Sequence, residues 1–480
     1  MKIFFKIIFI LFLFYEMYIS YRSYQNFNTD GDIVGLIYNY NEVLKDPFGF
    51  NIILNKTSYG GTNRYFAHVI SRNCFIYGPN IFQLWYEPIE SIYASFAFAR
   101  TAIRFLLVGL LAVYISGKRK IWDFDFLTAA VLICPLFQIY GYRSEMGIID
   151  TSITYTFFYA FAYSAVVLLF LPFYNNSIKG RPLVFKMPVL ISLMLLVIFA
   201  AFNGPLNAPV IIIICSFSLC SLFIDNFNKS RDKSFLQQIK SGINNIPKQV
   251  LIVFSFAIVI CLYSFYIGTF NSENNWVSLP LNIRYQRLFE GIHPYFIKKL
   301  GFPILIVMIL INRKILLKFK DEPQTTFILK SLRLFLGMAL IYLLMLPLGG
   351  YRSSRYFIIR NDTLIPVTMG LILSFGITTF HILKNIQFRI KPAYYVLVLL
   401  CLFAYVNADQ DKEGFFLQYK DCEKTSLEKL ASSPDSIVLL KGDCSVLNWI
   451  KTTKPEDSHN QTDLLMRWNV LKERKLYYQE

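Results

Sequence analysis

The run Asn28-Thr29-Asp30-Gly31-Asp32 follows a hydrophobic N-terminal segment and opens a long polar one. Two carboxylates flank a glycine at the point where the chain leaves an apolar environment. One reading is local. Asp30-Gly31 makes a turn, and Asp32 caps a helix from Ile33 to Leu44. The other is chemical. A carboxylate held at a membrane surface acts on a lipid-linked substrate. Both stay open on these five residues, and the flanking sequence supplies their context.

Behind the run, Lys2 and Lys6 precede an apolar stretch that ends near Ile19. It has the layout of a signal peptide, but Ser20-Tyr21-Arg22 makes a poor cleavage site. Residues 1–21 therefore read as a retained signal anchor with a cytoplasmic N-terminus. Glu16 lies inside this helix, and an intramembrane acid is a functional candidate by default.

Ahead of the run, residues 22–95 form one long polar loop, rich in Tyr, Asn and Phe. Ile33 to Leu44 and Pro88 to Phe98 have the pattern of amphipathic helices that lie on a bilayer. Connections this long are usually functional. The chain is 55% hydrophobic and only 16% charged, below the roughly 25% of soluble domains. Its net charge of +17 does not indicate a nucleic-acid partner. The basic residues sit in short loops between apolar runs, such as Lys118-Arg119-Lys120, Lys233 to Lys248, and Lys384 to Lys391. That is the positive-inside pattern.

Apolar runs and loop charge together predict about eleven spans. The expected fold is an all-α polytopic membrane protein with a long first extracytoplasmic loop. A transmembrane domain covers residues 96–407, and a small extracytoplasmic C-terminal region covers 408–480. Phe302 to Ile311 and Pro392 to Val406 are its shortest spans. Five of the eight cysteines, Cys134, Cys215, Cys220, Cys261 and Cys401, fall in apolar runs. Cys422 and Cys444 fall in the tail, where either a disulfide or two free thiols fits the spacing.

A second polar stretch runs from Gly349 to Asp362 and is expected on the same side as Asp30. Its three arginines, Arg352, Arg355 and Arg360, oppose the positive-inside trend. Guanidinium groups suit bidentate phosphate binding, and Tyr351 can stack on or hydrogen-bond a sugar. The bland alternative is that they anchor headgroups or pair with neighbouring acids. Arg100 and Arg104 share a helix face near the end of the second span. At a helix centre each would cost about 2.5–3.5 kcal/mol, so they are expected to snorkel, with a contribution to an anion site in second place. Glu145, Asp150, His68 and His293 are further candidates, read first as solvated or structural. No nucleotide-binding glycine motif, HExxH or GxSxG is present.

This layout resembles the GT-C class of integral membrane glycosyltransferases, in architecture across most of the chain and in one short motif. Only Asp30 and Asp32 map onto the acidic position of that class's first loop. The resemblance implies a donor sugar on a polyprenyl phosphate and a glycan, lipid or protein acceptor. A bacterial inner membrane is the expected setting. Asp30 or Asp32 would deprotonate the acceptor hydroxyl, and arginines or a divalent metal would stabilise the departing phosphate. Polysaccharide polymerases or ligases of the O-antigen type are the nearest rival. Transporters and flippases follow, but matched broken helices in two halves are not evident.

Single-cysteine variants test this topology. Positions in the Asn28 loop, the Arg352 loop and the tail should react with an impermeant thiol reagent from outside, and positions near Lys233 should not. Labelling of the Arg352 loop only after the membrane is opened would contradict it.

Overall fold

The computed structural model describes residues 2–137, 146–232, 234–274, 279–297, 299–349, 356–385, 387, 391–408 and 414–480. Among these, eight helices are long and apolar enough to cross a membrane: Lys2–Tyr24, Pro88–Ser116, Ile153–Ile178, Asn207–Asn228, Lys248–Gly268, Pro323–Leu348, Asn361–Asn385 and Lys391–Ala408. The protein is thus an all-α, multi-pass membrane protein. Three other expected spans are helical but shorter: Phe124–Leu136 and Met187–Ala201, and Gly301–Leu316. At 1.5 Å per residue the last covers about 24 Å, short of the ~30 Å hydrocarbon core.

The loops gather at two ends of the bundle. At the basic end, Lys179 Nζ donates to the Gly117 carbonyl, Gln249 to that of Phe185, and Lys384 and Lys330 pair with Asp125 and Asp225. The first loop, the turn at Asn203, the segment after Gly268 and the tail meet at the other end. This sorting matches the alternation read from loop charge.

The first loop differs from expectation in three ways. The helix foreseen over 33–44 is two short ones, Asp32–Tyr38 and Asn41–Lys45, broken at Asn39-Tyr40. The boundary placed at 95 falls inside one continuous helix, Pro88–Ser116, which opens on Pro88 and closes on Gly117 at φ +65°. Two further helices, Phe50–Asn55 and Tyr65–Phe82, were not foreseen. Pro79 lies inside the latter, the fourth residue from its end. Another helix, Leu281–Ile297, fills what was read as a loop.

The tail forms a small domain from helix Phe415–Ser432, helix His459–Arg467, and two parallel strands, Ile437–Leu440 and Leu476–Gln479. Cys422 and Cys444 form a disulfide, with Cα atoms 6.0 Å apart.

Arg104 does not snorkel. It is fully buried between helices Lys2–Tyr24 and Pro88–Ser116, with the segment after Ile133 alongside. Its guanidinium meets the Glu16 carboxylate at 2.9 Å, and donates to Ser20 Oγ at 2.7 Å and the Cys134 carbonyl at 3.1 Å. Glu16 and Ser20 are four apart and so present one helix face. Glu16, a possible functional acid by sequence, is the counter-ion of this arginine.

Removing one partner of a buried ion pair strands the other, at a cost of about 3–5 kcal/mol. Arg104→Met should therefore lower the thermal midpoint in detergent strongly, and Glu16→Gln in the same chain should restore part of it. Equal midpoints for the single and double variants would contradict the pairing.

Candidate functional site

The acids and the glycine of the Asp30-Gly31-Asp32 run have different roles. Asp30 points inward and is 4% exposed. One carboxylate oxygen accepts from Ser152 Oγ at 2.7 Å and the Thr154 amide at 2.9 Å; the other accepts from Thr154 Oγ1 at 2.9 Å and the Asp32 amide at 3.0 Å. Ser152 caps the start of the Ile153–Ile178 span, so Asp30 joins the first loop to that helix end. Thr29 reaches the other way. Its amide donates to the buried Glu423 carboxylate of the tail at 2.9 Å, and its hydroxyl at 2.5 Å.

Gly31 lies directly beneath Trp449. A Cβ there would stand 2.3 Å from the Trp449 nitrogen and 2.6 Å from its ring. The contact excludes any side chain at position 31. Asp32 is the first residue of its helix, not the cap. The cap is Gly31, and the Asp30 carboxylate receives the Asp32 amide. The Asp32 side chain lines a cavity of about 830 Å³, and its Oδ1 accepts the Trp449 indole N–H at 2.9 Å.

The cavity also draws on Tyr40, Arg64 and His68 of the first loop, on Tyr155 and Tyr159 of the third long helix, on Glu273, and on Arg360. Tyr155 directly precedes the π-helical turn Thr156–Phe161 and Tyr159 lies within it, a kind of distortion frequent at functional sites. Arg360 forks onto Asp362, with Nε to Oδ1 at 2.9 Å and a terminal nitrogen to Oδ2 at 2.7 Å. Burial pulls the Arg360 guanidinium down, but the Asp362 carboxylate outweighs it and holds it above its ordinary value. Arg64 meets Glu273 at 3.4 Å. His68 is 2% exposed beside Tyr40, and burial, with Arg64 next, pushes its imidazole down to about 3. It is therefore neutral near pH 7.

The expected residues thus divide. Asp32 and Arg360 share the cavity. Asp30 lies behind it, with both oxygens engaged. Arg100 and Arg104 are buried in the bundle and do not line it. Arg100 donates to the carbonyls of Asp150 and Thr151 and sits over the Phe27 ring at 5.3 Å. Tyr351, Arg352, Arg355 and Glu145 lie outside the described residues. His293 is exposed. Among the described residues, no three His, Cys, Asp or Glu side chains converge as a metal set.

Trp449, Arg64 and Glu273 went unforeseen. Trp449 is held by a chain of contacts from one face of the tail helix. Tyr419, Cys422 and Glu423 on that face take, respectively, the Ser445 amide at 2.9 Å, Cys444, and the Leu447 amide at 3.4 Å. The only local hint was the disulfide spacing five residues upstream. Compared with known family models, curated proteins and solved structures, the chain matches none.

Burial raises the Glu423 carboxyl to about 7 from an ordinary 4.5, against the pull of its donors from Thr29 and Leu447. The folded state then binds the proton more tightly than the unfolded one. Its contribution is full below about 4.5 and is lost as pH rises through about 7. The thermal midpoint should fall across that window, and Glu423→Gln should flatten the slope. An identical slope in the variant would contradict the assignment.

Proposed function

We propose that this protein transfers a sugar from a polyprenyl-phosphate carrier to an extracytoplasmic acceptor, as an eleven-span membrane glycosyltransferase of GT-C type. The observation that carries the reading is a single cavity holding a carboxylate, Asp32, and a guanidinium, Arg360, at the end of the bundle opposite the basic loops. In this reading the N-terminus is cytoplasmic, the tail is extracytoplasmic, and the setting is a bacterial inner membrane.

The chemistry follows from the two groups. Asp32 takes the proton of the acceptor hydroxyl as that oxygen attacks the anomeric carbon of the donor. The bond from that carbon to the phosphate oxygen breaks, and the polyprenyl phosphate leaves with its charge. Arg360 receives that charge, joined by Arg352 and Arg355 from the same sequence stretch. One carboxylate working as a base implies direct displacement and an inverted anomeric centre. Asp30 is assigned to holding the loop, because its oxygens are already engaged by four donors.

The lipid chain has a place as well. An apolar cavity of about 500 Å³ runs between the spans, and Tyr342 lines both it and the polar cavity. A donor with its phosphate at Arg360 would lay its first isoprene units past Tyr342.

Asp32→Asn keeps the shape and removes the base, so transfer should fall about 10²–10⁴-fold with donor binding intact. Arg360→Ala should weaken donor binding instead, and Arg360→Lys should restore it only in part, because Lys lacks the planar fork. The assay is sugar transfer by purified protein from a polyprenyl-phosphate donor. Full transfer by Asp32→Asn would rule the mechanism out.

A further inference from the structure

A row of aromatic rings stands beside Asp32 and begins with Trp449 of the tail. Trp449 is 53% exposed, unusual for the largest apolar side chain in a domain that buries Trp468 completely. Its ring centroid lies 6.3 Å from that of Tyr155, and Tyr155 lies 5.7 Å from Tyr159. The three rings form a row from the exposed Trp449 to Tyr155 and Tyr159, and both tyrosines line the cavity. The rings are fixed in place. Trp449 is seated on Gly31 and tied to Asp32, and both tyrosines stand at the π-helical turn.

The composition of the cavity selects the occupant. A sugar ring has faces of C–H bonds, which carry partial positive charge, and an edge of hydroxyls. Aromatic faces carry partial negative charge and attract such C–H groups. Asn39, Asn63, Thr269 and Ser272 on the remaining wall offer the hydrogen-bonding groups that hydroxyls need. A lipid chain would leave that polar edge unpaired, at a cost. An acyl or prenyl chain also has a better place in the apolar cavity between the spans. A row of rings ending at a carboxylate suits a chain of sugars whose terminal hydroxyl reaches that carboxylate.

We propose that Trp449, Tyr155 and Tyr159 form the acceptor subsite and that the acceptor is a carbohydrate chain, held by its C–H faces with its terminal hydroxyl at Asp32. This narrows the acceptor to a glycan and rests on the glycosyl-transfer reading above. It also gives the tail a role in the reaction, since Trp449 both holds the base and supplies the first ring of the subsite.

Saturation-transfer NMR on the whole protein in nanodiscs tests it, with chitohexaose and maltohexaose as probes. The wild type should transfer magnetisation to the C–H protons of at least one of them. Trp449→Phe, which keeps a ring and loses the N–H, should still bind. Trp449→Leu and Tyr155→Leu keep apolar bulk without a ring, and should each weaken binding about tenfold. Thermal midpoints establish that each variant is folded. No transfer to either probe in the wild type, or unchanged binding in both folded Leu variants, would overturn the proposal. If the probes bind through the rings but no polyprenyl-phosphate donor is ever consumed, the transfer reading fails and the subsite stands. If the donor is consumed in an Asp32-dependent way and neither probe touches the rings, the subsite fails and the transfer reading stands.

Discussion

A buried carboxylate sets the arrangement of this site. Asp30 is taken out of water, and an ion so placed is tolerated only when hydrogen bonds replace its hydration. Ser152, Thr154 and the Asp32 amide supply them, all within 3.0 Å. The consequence is geometric. The first loop is fixed to the end of the third long helix. The chain leaves Asp30 in a turn, and two residues later Asp32 stands in the cavity wall. Two carboxylates so close in sequence thus have opposite surroundings. One is spent on structure, and the other faces the space where a substrate would lie.

The tail completes the arrangement from the far end of the chain. Glu423 grips Thr29 across 394 residues, and Trp449 meets Asp32 across 417. Neither contact would hold Asp32 still if the tail loop were free to move. The disulfide and the Tyr419 and Glu423 contacts fasten that loop to one helix face, so Trp449 arrives in a fixed position. Preorganisation of this kind matters most for a catalytic base, whose effect depends on its geometry. The tail is therefore packed directly on the Asp30-Gly31-Asp32 run and is not an appendage to the membrane domain.

The sequence made some of this readable and left the rest dark, for physical reasons. Membrane spans are local: twenty apolar residues and basic flanks are visible without any partner, and the helices at the expected positions follow from that. The Asp30-Gly31-Asp32 run stood out for the same reason, but the roles of its two acids did not, because burial is decided by Ser152 and Thr154, far along the chain. Arg100 and Arg104 were read onto one face, and both lie buried. Their partners, backbone carbonyls near Asp150 and the Glu16 carboxylate, give no joint signal in sequence. Helix Tyr65–Phe82 was read as part of one long polar loop, since it lies within that polar stretch. Trp449 had only the cysteine spacing upstream as a hint, because the contacts that place it, Asp32 and Gly31, lie at the other end of the chain.

The most direct measurement of the central claim is a cryo-electron microscopy structure of the protein with a bound polyprenyl-phosphate sugar. The account predicts the phosphate against Arg360, the anomeric carbon turned towards Asp32, and the prenyl chain running past Tyr342 into the apolar cavity. A donor phosphate bound at the basic end of the bundle, or a sugar lying away from Asp32, would contradict it.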